Sequence, residues 1–141
     1  MTAKEYLNKI RTLDFQIKKK REQLENLKLL RRSIRGFDYS GVKVQTSPHG
    51  DETINKALEI MELENEITNK AINLEKTRNE IMEEIASLKN EYYIEVLTMR
   101  YCDLYSLEQI AVKMKLSFDR AAHIHLEALD NFQKKVLDLK S

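Results

Sequence analysis

Ser106-Leu107-Glu108-Gln109-Ile110-Ala111-Val112-Lys113-Met114-Lys115-Leu116-Ser117 is the stretch that decides how this chain is read. Ser106 followed three places later by Gln109 is a capping box, in which each residue satisfies the other's backbone N–H at a helix start. Leu107, Ile110 and Met114 then fall on one side of that helix, and Ala111 is small where a second helix must cross closely. Leu116 is expected to be a buried turn residue, and Ser117 is placed to cap the next helix. A short helix, a tight turn with one apolar residue and a capped second helix together describe a helix-turn-helix.

Working outward, three helices are expected in the C-terminal quarter: about 91–102, 106–115 and 118–139. Asn90 is a suitable N-cap for the first, so a break is expected there. Earlier in the chain the apolar spacing is longer-ranged. Ile10, Leu13, Ile17, Leu24, Leu27 and Leu30 or Arg31 follow alternating steps of three and four from about residue 3 to 35, interrupted by Lys20. Thr2 and Glu5 form a second capping box at the start. Ile60, Ile67, Ala71, Leu74, Ile81, Ile85 and Leu88 repeat the pattern from about 51 to 89, with Glu64 and Arg78 interrupting.

Between these two runs lie all three glycines and the one proline, from Gly36 to Gly50, with Val42 and Val44 allowing a short extended piece. Two helices of about 35 residues, each roughly 50 Å long, joined by one loop should fold back as an antiparallel coiled coil. Charge agrees. Residues 1–35 hold 11 Lys/Arg against 4 Asp/Glu, net +7, while residues 51–90 hold 5 against 10, net −5. The expected fold is therefore all-α: a helical hairpin over residues 1–90, with its loop near 36–50, followed by a helix-turn-helix module over 91–141.

Composition supports this reading. Charged residues make up 33% of 141, and 3 Gly with 1 Pro leave too few turn-formers for a sheet protein. Met1 leads into Thr2-Ala3-Lys4-Glu5 without a signal-type apolar run, and no stretch has the length of a membrane span. The lone Cys102 cannot form an internal disulfide, which fits a reducing cytoplasm, and a small buried residue is its expected role.

The module also resembles region four of bacterial sigma factors. Ile94-Glu95-Val96-Leu97-Thr98-Met99-Arg100-Tyr101 is similar to that family's first helix, and Ser106 to Ser117 aligns without a gap to its supporting helix and turn. Ile124, Ala128, Leu129 and Phe132 fall where its recognition helix packs inward. The whole chain resembles small proteins of Gram-positive phages and prophages that carry a coiled region ahead of a sigma-like module, as in late-transcription regulators of the ArpU type.

The resemblance implies a phage-type transcription regulator in the cytoplasm of a bacterial host that binds promoter or operator DNA, with RNA polymerase as a further partner. It makes Phe118, Asp119, Arg120, Ala122 and His123 the candidates for contact with bases. Arg120 and His123 would make polar contacts, and Phe118 or Ala122 would meet a thymine methyl. Arg100, Lys113 and Lys115 would hold phosphates. The chain departs from the family where Phe118, Asp119, Ala122 and His123 stand in place of basic and amide residues. Residues 94–141 carry 7 basic and 7 acidic residues, a neutral balance.

That balance keeps a rival open: a protein-interaction module that binds polymerase or a host factor without reading DNA. A purely structural coiled-coil adaptor is a third reading, and it leaves the gap-free stretch unexplained. Lys18-Lys19-Lys20-Arg21 and Arg31-Arg32 suit either DNA backbone or a solvated coiled-coil face. His123 and His125, two apart, point in different directions and share no metal. No Gly-rich phosphate loop and no acid/base grouping is present, so neither an enzyme nor a cofactor is expected. Leu7, Leu29 and Ile34, with Leu58, Leu63 and Ile72, lie off the two seams, so a homodimer through the hairpins is expected.

Overall fold

The computed structural model describes residues 1–38 and 48–140, with side chains from 1–33 and 54–140. Among the described residues the chain is all helical, with no strand. α1 (Ala3–Leu7) and α2 (Lys9–Asp38) are one helix with a bend at Asn8, whose N–H reaches Lys4 while its carbonyl still accepts from Thr12 at 3.0 Å. Thr2 caps the start with Glu5, as the capping box predicts.

α2 continues through Gly36, and α3 (Pro48–Ala86) begins at the proline, so helix takes both ends of the expected loop. A proline suits a first helical position because its missing N–H would find no intrahelical partner there. The extended piece expected at Val42 and Val44 lies outside the described residues. The break near residue 90 is present. α4 (Glu91–Leu97) starts after Asn90, whose side chain accepts from the N–H groups of Tyr92 and Tyr93. A π-helical turn over Thr98–Cys102 follows, then α5 (Leu107–Met114) and α6 (Phe118–Phe132). A second π-helical turn over Gln133–Leu137 leads into α7 (Asp138–Lys140).

The helices form two compact units, Met1–Asp14 with Leu74–Ser141, and Phe15–Asn73. In the first unit Leu7 and Ile10 pack with Ile81, Ile85 and Leu88 of α3 and with Leu97, Tyr101, Ala128 and Phe132. Leu7, expected to lie off the seam, is fully buried in this knot, one step of three before Ile10. Ala3 N–H donates to Gln133 Oε1 at 2.7 Å, and Glu84 accepts from both Tyr6 Oη and Lys140 Nζ. The Lys140 ammonium also lies over the Tyr6 ring. A smaller cluster of Val96, Ile110 and Ile124 holds α4, α5 and α6 together.

In the second unit Ile17, Ile60, Leu63 and Ile67 are buried. Lys70 Nζ donates to Gln16 at 3.3 Å, and Lys20 pairs with Glu66 at 2.9 Å. Leu63 occupies the inner position and Glu64 is exposed, although steps of three and four from Ile60 to Ile67 can pass through either. In the same way Arg31 is half-buried and Leu30 is the exposed one. Leu29, Leu58 and Ile72 are exposed as the off-seam reading expects, and the Ile34 side chain lies outside the description.

The π-helical turn places two consecutive residues, Tyr101 and Cys102, inside the core. Tyr101 Oη meets His125 Nε2 at 2.7 Å, with the two rings stacked. Burial holds the phenol above its ordinary pKa. Burial also pushes His125 down to about 4, assisted by the charges of Arg100 and Lys4. The imidazole is thus neutral in the folded chain across the physiological range. Unfolding releases it to its ordinary value near 6.5, so the unfolded state binds the extra proton first as pH falls. This contribution is complete above pH 6.5 and is lost as pH falls toward 4, on the order of 3 kcal/mol. Urea melts at pH 7 and 4.5 should differ by less in His125→Gln, which still offers Tyr101 a partner but does not titrate. An equal difference in parent and variant would assign the acid sensitivity elsewhere.

Candidate nucleic-acid interface

The connection from α5 to α6 is three residues long and its conformation is sharply defined. Lys115 is left-handed, with φ 58° and ψ 44°. Leu116 N–H donates back to Ala111 at 2.8 Å and Lys115 N–H to Val112 at 3.2 Å. These two bonds form a Schellman ending, which satisfies the last carbonyls of α5 and normally places glycine where Lys115 stands. Ala111 is buried beneath the turn, while Leu116 is half-buried and packs on the Val96–Ile110–Ile124 cluster. α5 begins with both halves of the Ser106–Gln109 capping box, and Ser117 Oγ accepts from Arg120 N–H at 3.1 Å to start α6.

The other end of α5 is fixed with equal care. Leu104 is also left-handed, at φ 61°. Tyr105 N–H returns to Met99 at 2.9 Å, and Arg100 Nη1 donates to the Tyr105 carbonyl at 3.0 Å. A left-handed conformation disfavours a residue with a Cβ by about 1–2 kcal/mol, so α5 is held between two such residues by the packing around it.

α6 buries Ala121, Ile124, His125, Ala128 and Phe132, and this sets which residues face outward. Of the residues expected to meet bases, Phe118, Asp119, Arg120 and His123 are exposed on its first turns, and Ala122 is half-buried beside them. His123 and His125 do point in different directions, one out and one into the core. Asp119 lies in the first turn, where a negative charge favours the helix dipole. The outward face is not purely basic. Glu127 accepts from His123 Nε2 at 2.8 Å and from Tyr93 Oη at 3.0 Å, and Asp130 pairs with Lys134 at 3.1 Å.

The three residues expected to hold phosphates are placed differently from one another. Lys115 is exposed in the turn itself. Lys113 is exposed, and its ammonium lies 4.9 Å from the centre of the Tyr105 ring. Arg100 is half-buried, with its guanidinium engaged on the Tyr105 carbonyl, so it supports the bend before α5. Lys113 and Arg100 therefore converge on Tyr105 from two elements, while Lys115 stands at the edge of α6.

Glu127 was absent from the residues singled out in the sequence, although its spacing of four from His123 was a readable signal. Its contact with Tyr93 depends on how α4 and α6 cross, which spacing within α6 does not reveal. Among the described residues no group of three or more His, Cys, Asp or Glu side chains is placed to hold a metal ion, and no helix is long and apolar enough to cross a membrane. No family model matches the chain, and neither a curated protein nor a solved structure does.

Proposed function

We propose that the chain is a phage-type transcription regulator that binds promoter or operator DNA through α5 and α6, used as a sigma-like helix-turn-helix. One observation carries this reading. The Schellman turn at Lys115 and the Ser117 cap start α6 so that Ala121 and Ile124 face the core while Phe118, Asp119, Arg120 and His123 are exposed on its outer side. In a helix-turn-helix those first turns enter the major groove and touch base edges. Arg120 then reaches guanine acceptors, His123 makes a second polar contact, Asp119 accepts from cytosine, and Phe118 or Ala122 meets a thymine methyl. Lys113 and Lys115 hold phosphates, and Arg100 supports the bend that places them.

In the same reading α2 and α3 pair as an antiparallel coiled-coil hairpin. The contacts Gln16–Lys70 and Lys20–Glu66 support this, because the partner number falls as the first rises. A cytoplasmic setting and contact with RNA polymerase belong to the same proposal. The acidic members of the outward face, Asp119, Glu127 and Asp130, favour one rival, a module that binds polymerase or a host factor without reading DNA.

The two readings part on salt and on two variants. Binding to a randomised duplex pool, followed by anisotropy on the selected sequence, should weaken steeply with salt, since each neutralised phosphate releases a counterion. Arg120→Ala combined with His123→Ala should remove the preference for the selected sequence, at about 1–3 kcal/mol per lost base contact, and leave the helical signal unchanged. Sequence preference that survives the double variant would take α6 out of the groove. Binding to polymerase with none to any duplex would establish the rival.

Lys115→Gly tests the turn and the phosphate contact together. Glycine relieves the left-handed conformation, so the unfolding free energy should rise by about 1 kcal/mol. DNA affinity should fall uniformly across sequences as one phosphate contact is lost. Greater stability with unchanged affinity would leave Lys115 as a turn residue only.

A further inference from the structure

α3 carries a second apolar stripe on the side away from Ile60, Leu63 and Ile67. Ile54, Leu58, Met61, Asn65, Thr68 and Ile72 follow strict steps of four and three, and every one of them is exposed. The four apolar members are each more than half exposed. This is the spacing of a coiled-coil seam, repeated on the opposite face of a helix whose first seam is already covered. Among the described residues of the Phe15–Asn73 unit, none covers this stripe.

We infer that the stripe pairs with the same stripe of a second copy of this chain, the two α3 helices lying parallel and in register. The polar members identify the occupant. Asn65 falls at the seam position equivalent to Leu58 and Ile72, and a single asparagine there fixes two strands in parallel register by bonding to its own counterpart. In that register Asn65 meets Asn65 of the second copy and each apolar layer meets its like. Thr68 adds no unsatisfied group, because its hydroxyl already donates to the Glu64 carbonyl at 3.0 Å, leaving its methyl for the seam.

Charge selects the same orientation. An antiparallel pairing centred on the stripe would bring Glu62 beside Glu62 of the other copy on one side of the seam and Glu64 beside Glu64 on the other, and would set Asn65 against Met61. In the parallel pair the residues that flank the seam meet as Ala57 with Glu62 and as Glu64 with Asn69, with no like charges opposed. This pairing rests on the Phe15–Asn73 unit and stands whether or not α6 reads DNA.

Sedimentation equilibrium of the full chain at micromolar concentration should report a dimer. Leu58→Lys combined with Ile72→Lys should weaken it by at least about tenfold. Both residues are exposed in the single chain, so helicity should be retained. If that variant loses helicity, Asn65→Lys makes the same test with a residue that is polar already. A monomer mass throughout, or a dimer unmoved by variants that stay helical, would overturn the proposal. Orientation is read by oxidation in a Cys102→Ser background. Ile72→Cys should cross-link to itself, and so should Ile54→Cys. Cross-linking only between the two variants when mixed would overturn the parallel register.

Discussion

The first unit depends on one apolar knot, in which Leu7 from the start of the chain, Ile85 from the end of α3 and Phe132 from the end of α6 are all buried to the last atom. Each comes from a different region of the sequence, so none of the three helices can bury its stripe without the other two. The polar links around the knot follow from it. Once Leu7 and Phe132 meet, Tyr6 comes within ring contact of Phe132, and Glu84 lies in reach of both Tyr6 and Lys140. The Tyr6 phenol is held above its ordinary pKa by burial and then by the neighbouring carboxylate, which keeps it a donor.

Support for α6 comes from the same packing. Its last turn is anchored by Phe132 and its middle by Ile124 against Val96 and Ile110. Its first turn is set by the Ser117 cap and by Ala121, which is also fully buried. Phe118, Asp119 and Arg120 are left on the outward side of that turn. Those residues are of mixed charge. A face on which Glu127 already engages His123 and Tyr93 would contact a polyanion through few groups, which makes Arg120 and Lys115 weigh more than their number suggests.

Much of this was legible in the sequence because it is local. Capping boxes at Thr2 and Ser106, the caps at Asn90 and Ser117, and the inward face of α6 all follow from spacing within one element. Three features were not legible, each for a physical reason. Left-handed residues at Leu104 and Lys115 carry no glycine to mark them, since packing on both sides of α5 imposes a conformation that neither side chain prefers. Leu7 looked like a surplus apolar residue because its partners lie more than seventy positions away. The seam through Leu63 in place of Glu64 turns on a single residue of helical phase, and only the partner helix decides that.

Cys102 sits against the same knot, and burial pushes its thiol up to about 11. At neutral pH it is therefore both protonated and covered, and a disulfide reagent that needs an exposed thiolate has no access to it in the closed chain. Modification must wait for the helices around it to part. The rate at which this one sulfur is labelled is then a clock on that opening, written into the chain at a single atom. Because the chain has no second cysteine, the clock keeps time for one region alone.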